Sequence, residues 1–249
     1  MGIVIKSARE VEIMRQAGRI VAQTLAVLSD AVRPGITTRE LDDLTYRTIT
    51  KQGASPSFKG YRGYPASLCA SINDEVVHGI PDKRLLKEGD IVSLDVGAYY
   101  KGLHGDAAVT VPVGKISDHI VALLDAGKAG LAAAIAAARG GARVGDISSA
   151  VQITVEAVGF AVVREYTGHG VGRNLHEDPL VPNVGEPGQG TLLRPGMTLA
   201  LEPMINVGGW AVQIKPNGWT VVTRDGSWSA HFEHSVAITD GEAEILTKM

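Results

Sequence analysis

The feature of this sequence that most constrains its fold is a weak internal repeat, in which four short motifs recur in the same order roughly 100 residues further along. The repeated motifs are a glycine before an apolar helical position, a histidine with a proline three residues later, a glycine six residues before an acid, and a histidine two residues before an acid. The paired positions are Gly35 with Gly141, His78 with His176, Gly89 with Gly196, and His104 with His231. We interpret the repeat as two similar halves, roughly 1–115 and 116–249, related by an approximate two-fold axis. A functional site is expected where the halves meet.

The hydrophobic pattern predicts both helices and strands in each half. Capping boxes predict helices that begin after Ser7 and Thr37, and apolar periodicity predicts further helices over 117–138 and 146–158. No linker rich in proline, serine or charge separates the halves, so a single α+β domain over 1–249 is expected. The predicted strands are 91–96, 109–113, 198–201, 219–223 and 235–238.

Composition excludes several classes of function. The 249 residues carry 24 Lys and Arg against 27 Asp and Glu, a net charge of -3, so no basic excess points to nucleic acid or to an anionic membrane. The single cysteine, Cys69, excludes an intrachain disulfide and a thiolate zinc site, which indicates a reducing, cytoplasmic compartment. The most apolar stretch, 129–138, is shorter than the ~20 residues that span a bilayer.

Four acids stand at positions where a lone carboxylate would be costly to bury. Asp95 and Glu202 each end an apolar run, and Asp106 and Glu233 lie beside apolar strands. A single acid of this kind is more often a helix or turn cap or the partner of an arginine. However, the repeat places these four acids at matching positions in the two halves, which weakens that explanation. Because like charges repel strongly in a low dielectric, four convergent carboxylates cannot all stay ionised together without cations. The pattern therefore predicts a site for divalent metal.

Histidines supply the other candidate ligands. His169 lies between glycines, and we favour a metal ligand over a phosphate loop because Arg173 replaces the last glycine of such a loop. With the acids it forms a donor set suited to Mn, Fe, Co or Zn, in a pair of metals about 3.5–4 Å apart. His78 and His176 are left open between a polar role beside the metals and a structural one. The histidines interpreted as structural are His104, His119, His231 and His234.

With these motifs in place, the chain resembles the bacterial type I methionine aminopeptidases of the pita-bread metallopeptidase family M24, over essentially its whole length. The resemblance implies a pita-bread fold, in which an antiparallel sheet is flanked by helices around the internal pseudo-two-fold repeat. The segments that carry it are 60–65 (Gly-Tyr-Arg-Gly-Tyr-Pro), 71–73 (Ser-Ile-Asn), 78–81 (His-Gly-Ile-Pro), 168–170 (Gly-His-Gly), 176–179 (His-Glu-Asp-Pro), 202–203 (Glu-Pro) and 233–234 (Glu-His), with Asp95 and Asp106.

The resemblance also implies a mechanism. Two divalent metal ions activate a bridging water, which attacks the scissile carbonyl, and Glu202 acts as general base and acid. His176 is expected to stabilise the oxyanion, and His78 to bind the scissile amide nitrogen. The implied metal ligands are the five already reached from the residues: Asp95, Asp106, His169, Glu202 and Glu233.

A methionine pocket and a set of partners follow from the same resemblance. Phe58 and Leu175 depart from the Cys and Phe that related enzymes carry near those positions. The implied partners are nascent polypeptide N-termini and methionyl peptides, preferably with a small second residue, in a monomer that contacts the ribosome transiently. The implied pocket residues are Tyr61, Tyr64, Cys69, Trp219, Phe58 and Leu175.

Two other functions remain open at this point. One is a different dinuclear exopeptidase, such as a dipeptidase for X-Pro bonds. The other is a non-catalytic pita-bread binding module, which is disfavoured because all five candidate ligands are intact. Release of methionine from Met-Ala-Ser without cleavage of Ala-Pro separates the first alternative from the leading interpretation.

Overall fold

A computed structural model describes residues 2–249, and within them the chain forms two pairs of helices around antiparallel sheets. The helices are α1 (Ala8–Ala31), α2 (Thr38–Lys51), α3 (Asp118–Ala137) and α4 (Val144–Glu156), with a short 3-10 turn at Tyr61–Gly63. The predicted capping boxes of Ser7 and Thr37 are both formed. Ser7 Oγ accepts from the N–H of Glu10 at 3.3 Å, and Thr37 Oγ1 accepts from the N–H of Glu40 at 3.1 Å.

The strands are short except for one long hairpin at the end of the first half. They are β1 (Ser55–Pro56), β2 (Leu68–Ile72), β3 (Glu75–Val77), β4 (Ile91–Tyr100), β5 (Leu103–Pro112), β6 (Ala161–Val162), β7 (Thr167–Gly170), β8 (Glu177–Pro182), β9 (Thr198–Leu201), β10 (Met204–Asn206), β11 (Val212–Ile214), β12 (Val221–Thr223), β13 (Ser229–His231), β14 (His234–Ala237) and β15 (Glu244–Ile245).

Every strand pairing is antiparallel. One sheet has the order β1-β4-β2, with β5 on the other side of β4, and a five-stranded sheet has the order β15-β14-β9-β7-β8. Two three-stranded sheets, β13-β10-β6 and β11-β12-β3, complete the set. The sheet β11-β12-β3 joins the halves, since β3 belongs to the first half and β12 to the second.

The internal repeat is reproduced in the backbone hydrogen bonds. The N–H of Gly35 donates to the carbonyl of Leu86 at 2.8 Å, and that of Gly141 donates to Leu193 at 3.0 Å. Both glycines have positive φ, 88° and 87°, a conformation that favours glycine. The same relation holds for Gly89 and Gly196, whose N–H groups donate to the carbonyls of Val113 and Ile238. The α+β fold with two related halves is therefore confirmed.

Each half also carries its own apolar core. In the first half, α1 and α2 pack on β2, β4 and β5 through residues such as Val21, Leu41 and Leu94. In the second half, α3 and α4 pack on β9 and its neighbours through residues such as Leu123 and Ile147. The helices lie outside and the sheets inside, so that polar groups on the inner sheet faces are shielded from water.

Helix α3 corrects one expectation. This 20-residue helix contains an 18-residue window with a mean hydropathy of 1.7, so it is long and apolar enough to cross a membrane by length and composition. The apolar stretch 129–138 of the sequence was too short for that. However, 44% of that window is buried inside the protein, and Leu123, Leu124 and Leu131 belong to the core of the second half. Among residues 2–249, α3 is thus a core helix that packs on the inner sheet.

The predicted strands are present, but several boundaries differ. The strand expected over 91–96 continues to Tyr100, so Asp95 lies within β4 rather than at its end. The reason is the hairpin with β5, in which ten residue pairs from Ile91–Pro112 to Tyr100–Leu103 are in register. The helix expected over 146–158 begins at Val144 and ends at Glu156. The strand expected over 219–223 begins at Val221.

Candidate metal centre

The inner faces of both halves enclose a cavity of about 540 Å³. It contains every residue that the sequence singled out for function, whereas the long hairpin alone would have brought together only two of them. The predicted site residues that line it are Phe58, Tyr61, Tyr64, Cys69, His78, Asp95, Asp106, His169, Leu175, His176, Glu202, Trp219 and Glu233.

Hydrogen bonds between the two halves place two of the acids. The N–H and carbonyl of Ala108 on β5 bond the carbonyl and N–H of Glu233, at 3.3 and 2.9 Å. The N–H of Asp106 donates to Ser235 Oγ at 3.0 Å, and that hydroxyl donates back to the carbonyl of Asp106 at 2.7 Å. The two contacts are equivalent under the repeat, since Asp106 corresponds to Glu233. These contacts therefore set one acid of each half beside the other.

The candidate ligand atoms converge. One ligand atom from each of Asp106, His169 and Glu233 lies within 4.8 Å of the others, and all three residues are buried. His169 Nε2 lies 3.4 Å from Glu202 Oε1. Asp95 projects from β4 into the same cavity. This separation allows several of these atoms to contact one ion.

The ring of His169 is oriented for metal binding. Its Nδ1 lies 2.8 Å from the carbonyl of Gly170, and a carbonyl can only accept, so Nδ1 carries the hydrogen. The lone pair is then on Nε2, which faces the acids. A backbone carbonyl that orients a ligating imidazole in this way is typical of metal sites.

Burial controls the protonation of the acids. It raises the pKa of Asp95 to about 7, and it raises the pKa of Asp106, Glu202 and Glu233 well above the usual range. Repulsion from the neighbouring carboxylates raises the pKa values of Asp106, Glu202 and Glu233 further. All four groups become anionic together only when cations neutralise them.

Unpartnered atoms show that this donor set fits a divalent metal. Within residues 2–249, Asp95 Oδ1, Asp106 Oδ1 and Glu233 Oε1 are buried and make no hydrogen bond. Buried polar atoms without partners are rare in native proteins, and an ion is one of the explanations. Carboxylate oxygens and one imidazole nitrogen form a set that accepts several first-row divalent cations.

Two further histidines border the acids. The ring of His176 lies 4.2 Å from that of His169 and stacks on Tyr61 at 5.2 Å, with the phenol hydroxyl 2.9 Å from Nδ1 of His176. Partial desolvation and the neighbouring His169 lower the pKa of His176 to about 3. His78 packs edge-on against Tyr166 and Trp219, and burial lowers its pKa to about 4. Both imidazoles are therefore neutral at pH 7.

Beside the acids, the six predicted pocket residues form one apolar cluster. Phe58, Tyr64, Cys69 and Leu175 are buried, and Tyr61 and Trp219 pack against them. The hydroxyl of Tyr64 lies 2.9 Å from the carbonyl of Gly79, which holds the ring in place. Burial raises the pKa of the Cys69 thiol, so that it is a neutral wall residue and not a thiolate.

Sequence reasoning missed several residues that contact the cavity. His231, interpreted as structural, lines it and faces Glu202 and Glu233. The signal was available, because residues two apart on an extended chain share a face and His231 stands two before Glu233. Gly2 and Val4 also line the cavity, and Lys6 forms a buried ion pair with Glu177. No local pattern marks these three.

Comparisons with known proteins agree with the geometry. A family model described as Metallopeptidase family M24 matches residues 12–240. The chain is 52% identical over 247 residues to "Methionine aminopeptidase 1" of Bacillus subtilis, covering 99% of this chain and 100% of that protein. It is 46% identical over 260 residues to a methionine aminopeptidase of Aquifex aeolicus, with both chains fully covered.

Solved structures extend the comparison. The crystal structure of the methionine aminopeptidase from Thermotoga maritima superposes with a TM-score of 0.98 at 51% identity, and each chain is covered completely. A prolidase from Pyrococcus furiosus superposes with a TM-score of 0.78 at 22% identity, covering 99% of this chain and 66% of that one. The second likeness concerns the fold alone and extends the pita-bread architecture to a longer protein.

Proposed function

This chain belongs to metallopeptidase family M24, and on that premise we propose that it is a metal-dependent methionine aminopeptidase, which hydrolyses the peptide bond after an N-terminal methionine. The observation that carries the proposal is the convergence of acids and His169 at the side of an apolar, aromatic pocket. Aromatic walls suit the polarizable thioether of a methionine side chain. Relatives that match over the full chain bear the same enzyme name.

Membership of the family implies divalent metal. We propose two ions, held by Asp95, Asp106, His169, Glu202 and Glu233, with Co, Mn, Fe and Zn as candidates. The unpartnered carboxylate oxygens support this ligand set. When bound, divalent metal polarises the scissile carbonyl and lowers the pKa of water, so that hydroxide becomes available near neutral pH.

We propose Glu202 as the residue that moves the proton. Its carboxylate stands between the imidazoles of His169 and His231, at 3.4 and 3.7 Å. In this position it takes the proton of the attacking water and returns it to the leaving amine.

His176 and His78 are proposed to stabilise charge on the substrate. If the Tyr61 hydroxyl donates to Nδ1 of His176, Nε2 carries the hydrogen and is free to donate to the developing oxyanion. The lowered pKa of His176 supports a neutral donor. His78 also lines the cavity, and we propose that it hydrogen-bonds the scissile amide nitrogen.

The wider setting is also proposed. Tyr61, Tyr64, Cys69, Trp219 and, at positions that depart from related enzymes, Phe58 and Leu175 form the methionine pocket. The substrates are nascent polypeptide N-termini and methionyl peptides with a small second residue. The enzyme works as a monomer in the cytoplasm, with transient ribosome contact, as a single catalytic domain over 1–249. The hydrogen bonds that join the halves beside the acids support the single domain.

The test is hydrolysis of Met-Ala-Ser by chelator-stripped protein, with Co, Mn, Fe and Zn added back separately without oxygen. Metal-restored release of free methionine is expected, with Ala-Pro left intact. Glu202→Gln serves as the matched inactive variant, because it keeps the size of the side chain and removes the base. Cleavage of Ala-Pro instead of Met-Ala-Ser would favour an X-Pro dipeptidase. No release by folded, metal-loaded protein would favour a binding module.

A further inference from the structure

Among the described residues 2–249, His231 is the one buried imidazole at the metal centre to which the proposed reaction gives no part. It is 2% exposed and lines the catalytic cavity. Its Nε2 lies 3.7 Å from Glu202 Oε2 and 4.0 Å from Glu233 Oε2, and it makes no hydrogen bond within residues 2–249. Glu202 is thus flanked by two imidazoles, with His169 near Oε1 and His231 near Oε2.

The chemistry of the neighbours favours a hydrogen on Nε2. Glu202 and Glu233 must lose their protons to bind metal, after which each is only an acceptor. A lone pair on Nε2 would face two anions, whereas an N–H would face two acceptors. A buried donor without a partner costs free energy, and a small movement of a carboxylate toward Nε2 removes that cost.

The repeat provides an internal comparison. His104 stands two residues before Asp106, as His231 stands two before Glu233. The His104 ring lies 4.6 Å from the Tyr99 ring, and its Nδ1 lies 2.8 Å from Ser57 Oγ, so it has partners of its own outside the cavity lining. Only the second copy of the motif therefore places an unpartnered imidazole at the acids.

We propose that His231 is a positioning residue of the metal centre, whose Nε2–H donates to the Glu202 carboxylate and holds it in the orientation that binds metal and accepts the proton. The proposal rests on the proposed function for the role of Glu202 in turnover, but the effect on metal binding stands apart from it. Hydrogen bonds to ligating carboxylates orient them, and their loss typically weakens metal binding about 10–100-fold.

The test compares two replacements of similar size. His231→Gln retains an N–H donor without an imidazole, and His231→Leu fills the space without a donor. Calorimetric titration with Co²⁺ is expected to show about 10–100-fold weaker binding for His231→Leu and affinity close to wild type for His231→Gln. With Met-Ala-Ser, kcat should fall in the leucine variant with little change in KM. His104→Leu is the matched control and should resemble wild type.

Circular dichroism establishes that each variant is folded. If the Leu variant does not fold, Co²⁺ binding by His231→Gln that is about 10–100-fold weaker than by wild type would overturn the proposal. Unchanged Co²⁺ affinity and kcat in folded His231→Leu would overturn the proposal. It would also be overturned if His231→Gln bound Co²⁺ as weakly as His231→Leu. Proton NMR of the Co²⁺ protein should show one shifted exchangeable imidazole signal, from His169. A second signal lost with His231 would make it a ligand and refute the positioning role. The Co²⁺ titration gives its answer even if wild type fails to hydrolyse Met-Ala-Ser.

Discussion

The buried ion pair between Lys6 and Glu177 offers a quantitative test of how the segment before α1 supports the cavity. Only 1% of the Lys6 side chain and 5% of the Glu177 side chain are exposed. Glu177 also accepts the N–H of Asn174 at 3.0 Å, and it begins β8 directly after His176, which borders the metal centre. Losing Lys6 would leave a carboxylate buried without its counter-charge.

The expected magnitude follows from that burial. Removing one partner of a buried pair costs about 3–5 kcal/mol, because the other charge remains desolvated. For a chain of this size each kcal/mol lowers Tm by roughly 2–4 °C, so Lys6→Met should lower Tm by roughly 6–20 °C. The double variant Lys6→Met/Glu177→Gln should recover much of this loss, since the glutamine is neutral and can still accept from Asn174.

The assay is urea unfolding of the chelator-stripped protein, followed by circular dichroism, together with thermal unfolding. Lys128→Met is the control, because Lys128 pairs with Asp125 at 3.3 Å while their side chains are 59% and 66% exposed, and no measurable change is expected. If Lys6→Met is as stable as wild type, or if the double variant is no more stable than the single, the reasoning is refuted.

Three other outcomes are expected. Gly18→Ala should lower the free energy of unfolding by about 1–3 kcal/mol or more, because the added Cβ would stand 2.1 Å from the carbonyl oxygen of Leu246. Gly209→Ala is the control in the same urea titration and should be tolerated, because its Cβ would stand 3.5 Å from a side-chain atom of Asp225. The free energy of unfolding should fall as pH drops from 6.5 toward 4, because the pKa of His78 is about 4 in the folded protein and 6.5 in the unfolded chain, which then binds more protons. The dependence of this free energy on pH should be weaker in His78→Asn, and asparagine also tolerates the φ of 58° at this position. Finally, Mn²⁺ or Co²⁺ should raise the Tm of chelator-stripped wild type in proportion to the logarithm of its concentration, and an unchanged Tm would argue against metal binding to the folded state.

Much of the fold was accessible from the sequence because its signals are local. Capping boxes at Ser7 and Thr37 depend on residues three apart, and the helices they predict begin where expected. The repeat predicted two related halves, which the hydrogen bonds of Gly35 and Gly141 reproduce. The spacing of the acids also predicted a metal site, since four convergent carboxylates cannot all be ionised together without cations.

Tertiary structure decided the rest, because contacts between distant residues leave no periodicity in the chain. Asp95 lies within a ten-residue strand because β5 pairs along its whole length, which a pattern over six residues does not reveal. His104 and His231 occupy the same place in the repeat, yet only His231 faces the acids.

The N-terminal segment shows the same difference between what the sequence predicts and what the tertiary structure decides. Lys6 is an ordinary surface residue by composition and becomes buried because Glu177, 171 positions later, lies beside it. The sequence by itself determined which residues this chain has for binding metal and where its helices start. The packing of the two halves determined which of these atoms contact one another, because such contacts depend on the free energy of the whole fold and not on any short stretch of the sequence.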